Sequence, residues 1–93
     1  MTYILTNVTD HDGNIKQDFL QELRDKHPEM KGKLLYPLNP GLIQRGMYRL
    51  CLFWTDGTEM ILRTSLVTDC KHQNDEYMVT TLNSIYTLRQ VEK

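Results

Sequence analysis

The sequence predicts one α+β domain over residues 1–93, in which an N-terminal helix packs on a four- to five-stranded, mostly antiparallel sheet. Curling of that sheet into a small SH3-like barrel is the alternative form. A length of 93 residues suits one compact domain. The first third contains one segment with helical periodicity, and the second half is a succession of β-rich segments separated by turn signals.

Residues 2–9 predict a first strand, because they are rich in β-branched and aromatic side chains and lack a helical period. A helix is predicted over 15–26, with Asn14 as its N-cap and Pro28 beyond its end. Its apolar residues recur at helical spacing and predict one buried stripe: Ile15, Phe19, Leu20 and Leu23.

Residues 30–46 predict an irregular segment, in which Asn39-Pro40-Gly41 fits a type II turn. The segment nevertheless carries several large apolar side chains: Leu34, Leu35, Tyr36, Leu38, Leu42 and Ile43. A solvent-exposed loop has no structural use for so many large apolar side chains. The segment therefore either folds back over the core or presents an apolar surface to a partner.

The second half contains four predicted strands, at 47–54, 59–67, 76–82 and 84–91, with a polar loop at 68–75. Asp56-Gly57 is a strong hairpin signal. A two-residue turn there predicts the pairs Trp54–Glu59, Leu52–Ile61 and Leu50–Arg63, and it places Leu62 with Cys51 and Phe53 on the opposite face. Both faces are then substantially apolar, which predicts a sheet covered on both sides or closed into a barrel.

The stretch VTTLNSIYTL, residues 79–88, predicts the end of the sheet. A tight turn at Asn83-Ser84 would pair Leu82 with Ile85, Thr81 with Tyr86 and Val79 with Leu88. A short 3₁₀ turn over 82–85 fits equally well. The tight turn gives one apolar face, made of Tyr77, Val79, Tyr86 and Leu88.

Composition excludes several classes of function. The chain has 11 basic and 12 acidic residues and a net charge of −1, unlike a general DNA-binding domain. No apolar run approaches the roughly 20 residues that a bilayer requires. Cys51 and Cys70 are expected to be reduced thiols, which favours a cytoplasmic protein.

Motifs for metal binding and catalysis are incomplete. Asp10-x-Asp12-Gly-Asn14 begins like a calcium loop, but Ile15 and Gln21 occupy the positions that need Gly and Glu. Cys70 and His72 provide two zinc ligands where four are needed. Since Gly-flanked nucleophile turns and phosphate-binding loops are also missing, we expect no metal, no cofactor, no catalytic residues and no enzymatic activity.

Two sites for a partner remain. The first is apolar and lies in the irregular segment, at Leu38, Pro40, Leu42 and Ile43. It predicts contact with another protein, either a host protein or a second copy of this chain in a homodimer.

The second site is electrostatic, because residues 30–55 contain no acidic side chain. Its predicted members combine cations with an aromatic ring: Lys31, Lys33, Tyr36, Arg45 and Arg49. Such a combination can bind an anion, a nucleotide or single-stranded nucleic acid, which we take as the alternative function.

The stretches GMYRLCLFWTDGTEMILRTSLV and EYMVTTLNSIYTL resemble small β-rich proteins of phages and mobile elements, whose last hairpin follows a Thr-x-Asn-Ser-x-Tyr-x-Leu pattern. The resemblance implies an accessory protein that acts in a bacterial cytoplasm by binding and blocking a host protein. It assigns no role to a particular residue.

Overall fold

The protein forms a closed, antiparallel, six-stranded barrel with two inserted helices. The structure, a computed structural model, describes residues 2–54 and 61–92. Its elements are β1 (Thr2–Thr9), α1 (Gln17–Lys26), β2 (Lys31–Leu34), α2 (Pro40–Gln44), β3 (Arg49–Trp54), β4 (Ile61–Gln73), β5 (Glu76–Thr81) and β6 (Ile85–Glu92). Each strand pairs with its neighbours in sequence, and β6 pairs with β1 to close the barrel.

The barrel interior is filled by alternate side chains of the strands, as expected for a small barrel. The apolar ones belong to one buried cluster: Tyr3, Leu5, Val8, Leu50, Leu52, Trp54, Leu62, Val67, Val79, Tyr86 and Leu88. Leu20 and Leu23 of α1 join the same cluster. The imidazole of His27, just after α1, stacks on the indole of Trp54 with the ring centroids 4.7 Å apart. The expected α+β class and the closed barrel are thus present.

The helix α1 begins two residues later than predicted, and Asn14 is not its N-cap. The carboxylate of Asp10 accepts hydrogen bonds from the backbone N–H groups of Asp12 and Asn14, both at 2.9 Å. These bonds, with that from Asn14 first, hold the pKa of Asp10 below its ordinary value. Ile15 then forms an isolated β-bridge with Thr9 and is 48% exposed, so it does not extend the buried stripe.

The predicted irregular segment contains a strand and a short helix. In β2, Gly32 lies between Tyr3 and Trp54 in the pairing of β1, β2 and β3. A Cβ at Gly32 would come within 2.6 Å of the Phe53 carbonyl oxygen, so this position requires glycine. The predicted type II turn at 39–41 is wrong: the Asn39 side chain accepts a hydrogen bond from the Leu42 N–H, and Pro40 occupies the first turn of α2.

The pairing of β3 with β4 is shifted by one residue from the predicted register. Leu52 faces Leu62 and Cys51 faces Arg63. A shift of one residue exchanges the two faces of a strand. Leu62 is therefore inside the barrel and Arg63 outside, the reverse of the prediction. The predicted turn at Asp56-Gly57 lies outside the described residues.

The predicted polar loop at 68–75 is instead the second half of β4 and a tight turn. β4 continues to Gln73, which pairs with Glu76, and Asn74 adopts a positive φ of 55°. Asn tolerates that conformation, and the polar side chains of this hairpin are mostly exposed.

The last hairpin has the predicted inner face but another register. Val79 faces Tyr86 and Tyr77 faces Leu88, two residues away from the predicted pairing. The turn spans 81–84, where the Thr81 hydroxyl accepts a hydrogen bond from the Ser84 N–H. A shift of two residues preserves which side chains point inward.

Of the helices in the described residues, none combines the length and the apolar character that crossing a membrane requires.

Candidate binding grooves beside the second helix

Two grooves flank α2. We call the first the arginine groove; it has a volume of about 460 Å³ and is lined by Leu35, Tyr36, Leu42, Met47, Tyr48, Arg49, Cys51 and Arg63. We call the second the barrel-end groove; it has a volume of about 390 Å³ and is lined by Leu38, Pro40, Ile43, Gln44, Asp69, Cys70, His72 and Tyr77.

The floor of the arginine groove is the outer surface of β3 and β4. Along β3 the side chains alternate, with Leu50, Leu52 and Trp54 inside the barrel, so Arg49 and Cys51 face outward. Arg63 lies directly across from Cys51 on β4. Cys51 is nevertheless buried, because the groove walls cover it.

The walls come from the chain on either side of α2 and are fixed by hydrogen bonds. The Leu35 N–H donates to the Cys51 carbonyl at 2.9 Å, and the Met47 N–H donates to the Leu42 carbonyl at 2.9 Å. The Tyr48 hydroxyl donates to the Tyr36 carbonyl at 2.8 Å. These two backbone hydrogen bonds and the Tyr48 hydroxyl bond together give the walls a defined position over the barrel.

The apolar wall side chains are open to solvent. Leu35 is 49% exposed, Tyr36 58% and Met47 66%. Tyr48, in contrast, is buried, and burial, with smaller contributions from Cys51, Cys70 and Tyr3, raises the pKa of its hydroxyl well above the usual range. Tyr48 therefore acts as a neutral hydrogen-bond donor that supports the groove.

Both arginines of the groove are exposed cations. Within residues 2–54 and 61–92 the one salt bridge is Lys26–Glu22 on α1, so neither Arg49 nor Arg63 has a carboxylate partner there. The groove thus combines an exposed apolar wall with two guanidinium groups that remain available for an anion.

The barrel-end groove lies between α2 and the part of β4 that continues past its pairing with β3. Cys70 pairs with the buried Val79 and His72 pairs with Tyr77, so these side chains share the inner face of the sheet. The rings of His72 and Tyr77 are parallel, with centroids 4.0 Å apart, and Tyr3 meets Tyr77 edge to face. Burial, with a smaller effect of Asp69, raises the pKa of the Cys70 thiol, which disfavours a reactive thiolate.

The structure divides the predicted partner residues between the two grooves. Leu42 lines the arginine groove, whereas Leu38, Pro40 and Ile43 line the barrel-end groove. Leu38, Leu42 and Ile43 are half-buried and pack against the core, so Pro40 alone of the four is exposed.

The predicted cation–aromatic set is also divided. Tyr36 and Arg49 lie together in the arginine groove, whereas Lys31, Lys33 and Arg45 line neither groove. Sequence reasoning missed Arg63 and Met47. The signal for Arg63 was its position across from β3, which the predicted register assigned to the wrong face.

The polar residues around the last turn are engaged in structural contacts. Lys16 Nζ donates to Ser84 Oγ at 2.6 Å and to the Asn83 carbonyl at 3.2 Å. His11 Nε2 donates to the Thr81 carbonyl at 2.8 Å. These bonds tie the chain that precedes α1 to the 81–84 turn, and we assign this cluster a role in the fold.

No protein-family model, curated protein or solved structure matches this chain. The two grooves are therefore interpreted from their own geometry and charge.

Proposed function

We propose that this protein is a non-enzymatic binding protein that acts by protein–protein contact, and that the arginine groove receives an acidic segment of its partner. The observation that carries the proposal is the exposed apolar wall formed by Leu35, Tyr36 and Met47 beside Arg49 and Arg63. The resemblance to phage and mobile-element proteins makes a bacterial host protein the expected partner.

The apolar wall favours a protein partner. Exposed, adjoining apolar side chains on a small domain commonly mark an interaction surface, and aromatic residues, Met and Arg are enriched in interfaces. The barrel core is complete without these side chains, since its interior cluster does not include them. The unfavourable free energy of exposing these apolar side chains to water would be removed when a partner covers them.

The two arginines favour an acidic segment. A guanidinium group can bind a carboxylate through two parallel hydrogen bonds, and both arginines lack such a partner within the described residues. The apolar wall would pack against the uncharged side chains of the same segment. Charge would then set the specificity and the association rate of the complex.

We retain the SH3-like barrel as a proposal for the fold class. The closed antiparallel barrel is compatible with it. The described residues form six strands and two helices, more than the four to five strands and single helix that the sequence predicts.

The test is capture of partner proteins from a bacterial lysate with the wild-type chain and with groove variants. Because Leu38, Leu42 and Ile43 pack against the core, the variants are placed at exposed positions: Leu35→Ser with Met47→Ser, and Arg49→Glu with Arg63→Glu. A protein that the wild type captures should be lost with both double variants, and its contact segment, located by cross-linking, should be acidic.

The matched control is Arg24→Glu, which reverses an exposed arginine on α1 outside the groove. It should capture the same protein as the wild type. Equal capture by the wild type and both groove variants would refute the proposal.

A second candidate function, binding of single-stranded nucleic acid, is favoured by one observation. Phe53 is 38% exposed on the outer face and lies directly across from Lys33, while Arg63 lies in the same outer face across from Cys51. Bases can stack on an exposed aromatic ring while flanking cations contact the phosphates.

The nucleic-acid candidate predicts a characteristic salt dependence. With about three phosphate contacts, the logarithm of the association constant should fall with a slope of about −2 against the logarithm of salt concentration. Fluorescence anisotropy with a labelled oligothymidine measures that slope, and Phe53→Ala should weaken binding. If the oligonucleotide does not bind at low salt, this candidate fails and the protein-binding proposal is unaffected.

A further inference from the structure

The barrel-end groove is separate from the arginine groove, because α2 lies between them. Leu42 lines the arginine groove, whereas Ile43 and Gln44 line the barrel-end groove. Its volume of about 390 Å³ lies in the range of small-molecule sites, which occur in the mouths of β-barrels.

One side of this groove is apolar. Leu38, Pro40 and Ile43 lie on the α2 side, and the ring of Tyr77 lies on the β5 side. Tyr77 is held by ring contacts with Tyr3 and His72. The groove therefore offers a preformed place for a small apolar or aromatic group.

The polar part of the groove is rich in hydrogen-bond acceptors. Asp69 lines the groove and has an exposed side chain, and its backbone pairs with Thr80 just after an irregularity in the pairing of β4 with β5. Among the described residues no cation forms a salt bridge with its carboxylate. His72 Nε2 donates to the Asn74 carbonyl at 2.6 Å, so in the neutral ring Nδ1 is an acceptor.

We propose that the barrel-end groove binds a small primary amine that carries an apolar or aromatic body. The ammonium group pairs with the Asp69 carboxylate, and the body packs against Leu38, Ile43 and Tyr77. Acceptors beside an apolar wall suit an organic cation, because a carboxylate attracts the ammonium group while the wall contacts the apolar body. A carboxylate ligand of the same shape would instead meet the charge of Asp69.

The test is a titration of the whole protein with 2-phenylethylamine, monitored by the amide NMR spectrum of the protein, at about pH 8, where the amine is charged. Shifts should appear in the α2 residues that line the groove and in residues 69–77, and they should saturate. Phenylacetate, which has a similar body and the opposite charge, should give no saturable shifts. Absence of binding by the amine, or equal binding of both compounds, would overturn the proposal.

Two variants test which carboxylate pairs with the ammonium group of the ligand. Asp69→Asn keeps the size of an exposed side chain and should weaken binding of 2-phenylethylamine about five-fold, the effect expected of one exposed ion pair. Asp75→Asn neutralises an exposed carboxylate in the neighbouring turn, outside the groove, and should leave the dissociation constant unchanged. Equal effects of both variants would show general electrostatic attraction and contradict a site at Asp69.

Discussion

Tyr48 is the residue that connects the barrel core with the arginine groove. Its side chain is 2% exposed, and its hydroxyl donates to the Tyr36 carbonyl at 2.8 Å. The buried ring contributes to the core cluster, while the hydroxyl holds the exposed wall. One side chain thus couples the stability of the barrel to the shape of the candidate site.

Tyr48→Phe should keep the ring in place and remove the hydrogen bond. We expect the free energy of unfolding to fall by about 1 kcal/mol, the typical value for one hydrogen bond. Urea denaturation followed by circular dichroism measures the loss. Tyr36→Phe, which changes an exposed side chain and leaves the Tyr36 carbonyl intact, should change the stability by less than about 0.5 kcal/mol.

The same hydroxyl makes stability depend on alkaline pH. Its pKa in the folded protein is raised by burial, so the folded state keeps the proton more firmly than the unfolded state. The contribution is complete below the ordinary tyrosine pKa of about 10 and is lost as pH rises through and beyond that value. Equal alkaline destabilisation of wild type and Tyr48→Phe would contradict this assignment.

At the scale of elements, the register between β3 and β4 decides which side chains reach the arginine groove. In the structure Leu62 pairs with Leu52 inside the barrel, and Arg63 pairs with Cys51 on the outer face. The register predicted from Asp56-Gly57 places Leu62 and Phe53 together on the face opposite Leu52. The two registers therefore give opposite expectations for substitution at Leu62.

Leu62→Ala should lower the free energy of unfolding by about 2–5 kcal/mol, because it leaves a cavity in a closed core. Phe53→Ala should cost clearly less, because Phe53 is 38% exposed whereas Leu62 is 8% exposed. Denaturation curves of both variants give the comparison. Similar small losses for both would favour the register that the sequence predicts.

The elements that local signals define were the ones that could be predicted. The β-rich composition of β1, the buried Leu20 and Leu23 of α1 and the inner face of the last hairpin depend on nearby residues, and all three are present, whereas Ile15 of the predicted stripe is exposed. The Asn39-Pro40 signal was recognised as a turn, although Asn before Pro also begins a helix, as it does in α2.

The arginine groove depends on relations between distant parts of the chain, which local patterns do not contain. Arg63 lines the same groove as Arg49 because β4 pairs with β3 in one particular register. Tyr36 joins them because its backbone carbonyl accepts a hydrogen bond from the Tyr48 hydroxyl. An error of one residue in the β3–β4 register places Arg63 on the wrong face of the sheet, so the predicted site does not include it.

At the scale of the whole molecule, closure of the barrel makes every strand depend on the others. The pairing of β1 with β6 extends from Thr2–Glu92 to Thr9–Ile85, so these two strands form the closing seam. The sequence predicts a covered or closed sheet because both of its faces are apolar. In the structure the inner face of the barrel forms the core, and the inserted segments cover part of the outer face, so both faces are shielded from water. The strand count was underestimated because β2 has only 4 residues and contains Gly32.

Leu88 tests whether the closed barrel unfolds as one unit. It is fully buried in β6 and lies across from Leu5 on β1 and Tyr77 on β5, so Leu88→Ala should lower the free energy of unfolding by about 2–5 kcal/mol. Because one core cluster joins β1 and β3–β6, and Leu34 of β2 packs against it, far-ultraviolet circular dichroism and Trp54 fluorescence should report the same transition midpoint. Leu82→Ala, at a position 58% exposed in the last turn, should shift it little. Separate midpoints for the two probes would show that the seam opens independently, and closure would then not be what holds the grooves in place.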